Sequence, residues 1–210
     1  MTETRAEQKE RTRRAILDAA LDLTAESGLA SLSLRSVAKE VGVVPTAFYR
    51  HFDSIDALGL ALVEEAFVSL RAMLSAVRQP EAIESLVGIV DSSVRIVTEH
   101  VRAQPAHFAF LIRERVAGTP DVRAAIRHEI DLCEHELATD LARLPQGQAL
   151  STPDLRALSG LIVTLMVGAA EDLLAAAPSR EAAVAEVIRT RLRMVLIGAV
   201  NWRSAGAPTA

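Results

Sequence analysis

What most constrains this chain is a run of helical apolar stripes set between prolines. Pro80, Pro105, Pro120, Pro145, Pro153 and Pro178 each fall between segments that read as helix, and proline belongs at helix edges. Between Pro80 and Pro105 the apolar positions are Ile83, Val87, Val90, Val94, Val97 and Val101. The alternating spacing of four and three marks one buried face of a helix. After Pro120 the stripe is Val122, Ile126, Ile130, Cys133, Leu137, Leu141 and Leu144; after Pro153 it is Leu155, Leu158, Ile162, Leu165, Ala169 and Leu173. Thr152 and Pro153 read as an N-cap and first-turn pair. The segment from Arg180 to Trp202 repeats the pattern. No alternating run of useful length suggests a strand, so the expected fold class is all-α.

Composition narrows the function. The 210 residues carry a net charge of −4, which argues against a uniformly basic, nucleic-acid-coated protein but allows a local basic patch. The single cysteine, Cys133, permits no intrachain disulfide and no thiolate metal cluster, which favours a reducing, cytoplasmic setting. The opening MTETRAEQKERTRR has no apolar core of a signal peptide. The longest uncharged stretch, Ala157 to Ala170, is shorter than the roughly 18 residues of a membrane span, so it reads as a buried helix and no membrane partner is expected. His128 and His135 lie near one helix face without a third ligand, so no metal site is expected. No nucleophile elbow, phosphate-cradling loop or acid/base pair is present, and an enzyme is not expected.

The first 52 residues have a different texture. A helix from about Glu7 to Ser27 precedes Gly28, a plausible C′ residue. Two short helical pieces follow, Ser33–Val41 and Val44–His51, divided by Gly42; a long helix begins at Asp53, with Leu58, Leu62, Ala66, Leu70 and Leu74 on one face. Ala38 is small where two helices would cross, and Gly42 follows four residues later where the chain must turn. Val37, Val41, Val43 and Phe48 supply apolar contacts. This spacing fits a helix-turn-helix whose second helix enters a major groove, and equally an ordinary αα corner.

The aromatic residues separate the two readings. Of seven in the chain, Phe48, Tyr49 and Phe52 sit within five positions. Phe48 and Phe52 can share a core face, which leaves Tyr49 and His51 to offer donors to phosphate. Here the sequence resembles the TetR family of bacterial repressors, through TRRAILDAALDLTAESGLASLSLRSVAKEVGV, the Tyr-x-His-Phe close and the long helix after it. Two positions depart from the pattern. Val44-Pro45-Thr46 stands where the family often has Ser or Lys, and Ile55 stands where it usually has a phosphate-binding Lys. The runs PTAFYRHFDSIDALGLALV and FLIRERVAGTPDVRAAIRHEI resemble a subgroup, the repressors of unsaturated fatty-acid synthesis of the FabR and DesT type.

The resemblance implies a DNA-binding domain over 1–53 and a ligand-binding and dimerisation domain over 54–210. It implies that Ser33 caps a helix and touches phosphate, and that Arg35 reads a base or phosphate. Pro45, Thr46 and Ala47 open the recognition helix. Ala47 and the Thr46 methyl suit a thymine methyl. Tyr49 and His51 hold the backbone; Arg50 reaches phosphate or solvent. Arg11, Arg13 and Arg14 form an electrostatic arm or, with Glu7 and Glu10, a solvated face. The last two long helices would form a homodimer face, with Gly160 and Gly168 allowing close approach, unless that helix is buried within one chain. Two heads would read a palindromic duplex with recognition helices about 34–36 Å apart.

Residues 80–178 should enclose the effector cavity. Its expected lining is Phe67, Met73, Val90, Val94, Val97, Phe108, Phe110, Leu111, Met166 and Val167. The implied effector is a long-chain fatty acyl-CoA, with Arg113 and Arg115 facing its head unless they pair with Glu114 or a neighbouring helix. No cofactor is expected. Two other readings stand: a repressor of an efflux pump that senses a hydrophobic drug, and a helical ligand carrier that binds no DNA.

Overall fold

The computed structural model describes residues 4–77, 86–144 and 147–204. Among these, all regular structure is helical: α1 (Arg5–Ser27), α2 (Leu34–Val41), α3 (Pro45–Phe48), α4 (Ile55–Val77), α5 (Leu86–Ala103), α6 (Pro105–Ala117), α7 (Pro120–Arg143), α8 (Thr152–Ala175) and α9 (Glu181–Asn201), with short 3-10 turns at 29–31, 147–149 and 178–180. The all-α expectation holds. Pro80, Ile83 and Pro145 lie outside the described residues.

The chain forms two compact units. The first contains residues 1–69 and 106–127; the second contains 70–105 and 128–210. The first unit thus runs past residue 53 and takes in the start of α4, α6 from Ala106 onward and the start of α7.

In the first unit α1 packs on α2 and α2 on α3. Their apolar faces bury Ile16, Leu17, Ala20, Val37, Ala38, Phe48 and Phe52, while Leu58 and Leu62 of α4 and Phe110 of α6 are also enclosed. α1 opens with a capping box: Thr4 N–H donates to Glu7 Oε2 at 2.7 Å and Glu7 N–H to Thr4 Oγ1 at 3.2 Å. It closes at Gly28, whose φ of 75° suits glycine, with its N–H on Thr24 O. Gly59 of α4 has a packing role that the periodicity did not reveal. A Cβ there would sit 2.4 Å from Leu29 Cδ2 and 2.9 Å from Val122 Cγ2.

In the second unit α5 packs on α8 and α9, and α8 on α9. Val90, Val94, Val97, Val101, Leu158, Leu173, Ile188 and Leu192 are buried. Three expectations need correction. The N-cap of α8 is Ser151, one residue earlier than expected; its Oγ accepts from Asp154 N–H, and Pro153 lies in the first turn. Trp202 lies beyond α9 and is exposed. Most importantly, α8 is not a buried helix. Thr152–Ala175 is apolar and long enough to span a membrane by composition alone, yet only 22% of its most apolar window is enclosed. Leu161 is 59% exposed. A hydropathy stripe shows that a helix must be covered, not whether its own chain covers it.

Candidate functional site

Ser33 and Gly42 delimit α2. Ser33 Oγ accepts from Ser36 N–H at 3.1 Å, and Ser36 Oγ accepts from Ser33 N–H at 3.2 Å, a capping box with serine at both positions. At the other end Gly42 is left-handed, with φ 73° and ψ 28°. Val43 N–H reaches Ala38 O at 2.9 Å and Gly42 N–H reaches Lys39 O at 3.2 Å, a Schellman closure. This closure turns the chain sharply, and Val44 then starts α3 with Pro45 in its first turn. The helix is shorter than expected. It ends at Phe48, and Tyr49 to His51 continue as turns in which Arg50 N–H meets Ala47 O and His51 N–H meets Phe48 O.

The turn divides the aromatic side chains as expected. Phe48 and Phe52 are buried with ring centroids 5.8 Å apart. Tyr49 stands edge-on to Phe48 and is 55% exposed, its hydroxyl end unneeded by the core. Ser33, Arg35, Pro45, Thr46 and Arg50 are exposed and Ala47 is half-buried. His51 is half-buried, and its Nδ1 is enclosed without a hydrogen-bond partner. Burial first, then the nearby Lys9 and Arg13 and, more weakly, Arg50, push its pKa down; Glu10 opposes them.

The three arginines of α1 have different surroundings. Arg14 pairs with Asp18 at 2.8 Å and with Glu65 of α4, and these carboxylates hold its pKa up. Its guanidinium is thus already paired within the protein, though its side chain stays half exposed. Arg13 lies over the Phe52 ring, 5.1 Å from the centroid, anchored by a cation–π contact near the turn. Arg11 is exposed.

α6 is bonded within the same unit by His107, Glu114 and Arg113. His107 Nε2 lies 3.4 Å from Glu65 Oε1, the oxygen that also meets Arg14. Glu114 is 1% exposed, and its Oε1 accepts from Leu29 N–H at 3.0 Å. Gly28 and Gly118 leave room for its carboxylate: a Cβ at either would approach it to 3.4 or 3.1 Å. Arg113 Nη1 donates to Thr24 O at 2.6 Å. Arg113 therefore bonds the C-terminal end of α1 from an exposed position on α6. The only available signal was the charged RER run within an otherwise apolar helix.

The remaining effector residues divide between the units. Phe67 and Phe110 are buried, Phe108 and Leu111 half-buried and Arg115 exposed in the first unit. Val90, Val94 and Val97 are buried and Met166 and Val167 half-buried in the second. Met73 lies on α4, but its side chain is outside the described residues. Gly168 has open space around its missing Cβ, and a Cβ at Gly160 would lie 3.6 Å from the Glu134 carboxylate, an ordinary contact, so neither position requires glycine for packing within the chain.

A capped helix, a left-handed glycine turn and a second short helix with its polar tip exposed define a helix-turn-helix DNA-binding protein with an all-helical companion unit. Residues 16–62 match the family described as bacterial regulatory proteins, tetR family, and residues 86–197 match the tetracyclin repressor-like C-terminal domain. The chain belongs to the tetR family of DNA-binding transcriptional regulators. Among solved structures it is similar to Salmonella enterica GusR, at 25% identity and TM-score 0.70, covering 95% of this chain and 98% of that one. It is similar in fold to AibR, solved in complex with isovaleryl coenzyme A and operator DNA, at 17% identity and TM-score 0.65, covering 85% and 96%. It is also similar in fold to the fatty acid degradation regulator FadR from Bacillus halodurans, at 14% identity and TM-score 0.66, covering 94% and 98%.

Proposed function

We propose that this protein is a cytoplasmic repressor that binds a palindromic operator as a homodimer and responds to a long-chain fatty acyl-CoA. In this reading Ser33, Tyr49 and His51 hold the phosphate backbone. Arg35 and Arg50 add charge, and Pro45, Thr46 and Ala47 face base edges. Arg11, Arg13 and Arg14 contribute to the field around the head, Arg14 while also paired with Asp18 and Glu65.

The dimer face in this reading is the exposed apolar surface of α8 and α9. Leu161, Val187, Met194, Ile197 and Val200 are all about half exposed or more. A monomer that showed all of them to water would carry an aggregation-prone patch, and a second copy is the partner a repressor of two-fold operators requires.

The acyl-CoA reading rests on one observation above all, the FLIRERVAGTPDVRAAIRHEI run, which covers the C-terminal part of α6 and the first half of α7 and resembles fatty-acid-synthesis repressors. The structural relatives that bind isovaleryl coenzyme A or regulate fatty acid degradation are compatible with it at low identity. A ligand acts only through different affinities for two conformations. α6 is bonded to the end of α1 and to Leu29 through Arg113 and Glu114, so a shift of α6 reaches the reading head. Thermal melts with long-chain acyl-CoA, free coenzyme A and hydrophobic dyes or drugs test the effector. Stabilisation by acyl-CoA alone supports the reading. Stabilisation by drugs and not by acyl-CoA contradicts it and points to an efflux-pump regulator.

A further inference from the structure

Val44 is the N-cap of α3, and it is an unusual residue for that place. It makes no side-chain capping bond, where Ser, Thr, Asp or Asn would accept from a backbone N–H. Its isopropyl group is instead 64% exposed. Pro45 removes one donor from the first turn, and Ala47 N–H is met by Val44 O at 2.8 Å, so the helix starts without a polar side chain. The core does not use Val44 either: Val37, Ala38 and Phe48 fill the space between α2 and α3. An apolar side chain therefore stands at the tip of the reading head, beside exposed Pro45 and Thr46, with exposed Arg35 and Arg50 on the same small domain.

The turn between α2 and α3 places this tip where a helix-turn-helix meets a duplex, so the occupant is DNA. The apolar group that a duplex presents in its major groove is the thymine C5-methyl. We propose that Val44 is a specificity residue that packs on a thymine methyl in each operator half-site. This inference rests on the operator-binding reading above and adds a base preference at one position. Val44 selects thymine over cytosine by shape and desolvation, without a hydrogen bond.

The test uses the full-length protein and a duplex recovered by selection from a random-sequence library. Each thymine of one half-site is replaced in turn by deoxyuridine, which removes the methyl and keeps the base pair. Binding is read by fluorescence anisotropy. The burial value of one methyl predicts a loss of about fourfold for wild type at one position. Val44→Ser restores a capping residue, so it should fold, and it should bind the thymine and deoxyuridine duplexes equally. A double-mutant cycle isolates the contact. Indifference of wild type to every such replacement overturns the proposal, as does a Val44→Ser protein that keeps the full loss, because another side chain then reads that methyl. Failure to select any duplex overturns the operator reading itself, and this inference with it.

Discussion

At His51 the surroundings in the fold and the proposed phosphate contact favour opposite charge states. Its enclosed Nδ1 and the neighbouring Lys9, Arg13 and Arg50 favour the neutral ring and lower its pKa from the usual value near 6.5. A folded-state pKa below the unfolded one gives stability that is present above pH 6.5 and lost as pH falls through the folded value. A phosphate beside the ring reverses the preference, because it favours the imidazolium. Operator binding should then take up a proton, and affinity should rise as pH falls from about 7.5 to about 6. Anisotropy titrations across that range check this. The expected outcome is tighter binding at lower pH for wild type and a flatter profile for His51→Gln, while thermal melts show wild-type stability falling in the same direction. A wild-type profile as flat as that of His51→Gln would remove His51 from the phosphate contacts.

At the scale of elements, α6 matters through two polar bonds at its C-terminal end. Leu29 N–H is enclosed and has Glu114 Oε1 as its acceptor. Glu114→Ala leaves that donor unpaired at a cost of about 1–3 kcal/mol, while Glu114→Gln keeps an oxygen in place and should cost less. Urea unfolding measures both, and equal losses would show that the bond to Leu29 carries little. Gly59→Ala drives a methyl into Leu29 and Val122 and should destabilise by about 1–3 kcal/mol in the same assay. The helices themselves were legible in the sequence because three-four spacing and proline punctuation are local signals. So was the α2–α3 turn, since Ala38, Gly42 and the aromatic triplet lie within 15 residues. The bonds of Glu114 and Arg113 were not legible, because their partners lie 85 and 89 residues away and are backbone atoms with no sequence signature. Nor was the pairing of Arg14 with Glu65, which spans 51 residues: a charge run looks alike whether it faces DNA or a neighbouring helix. α3 ended early because residues 49–51 prefer turns that place Phe52 back in the core.

At the scale of the whole molecule, the modest net charge conceals a division. Residues 1–52 hold 8 basic and 7 acidic side chains, and the remainder hold 15 and 20. The acidic excess lies beyond the reading head, and in the proposed dimer a second copy would double the small number of phosphate contacts. That copy should be held by α8 and α9. Ile197→Asp and Met194→Glu place charge on the exposed apolar face and should convert a dimer of twice 22.6 kDa to monomer in light scattering, with operator affinity falling as a consequence. A double variant that stays dimeric would place the interface elsewhere.

The central claim is that residues 33–51 read an operator. Its most direct test is a salt-dependent titration of the full-length protein onto the promoter next to its own gene, with wild type beside Tyr49→Phe. This variant keeps the ring against Phe48 and removes only the exposed hydroxyl. The account predicts saturable binding by wild type, with log affinity falling against log salt by about 0.9 per phosphate neutralised. It predicts a loss of about tenfold or more for Tyr49→Phe with unchanged thermal stability. Equal binding by the two proteins would contradict the assignment of the reading head.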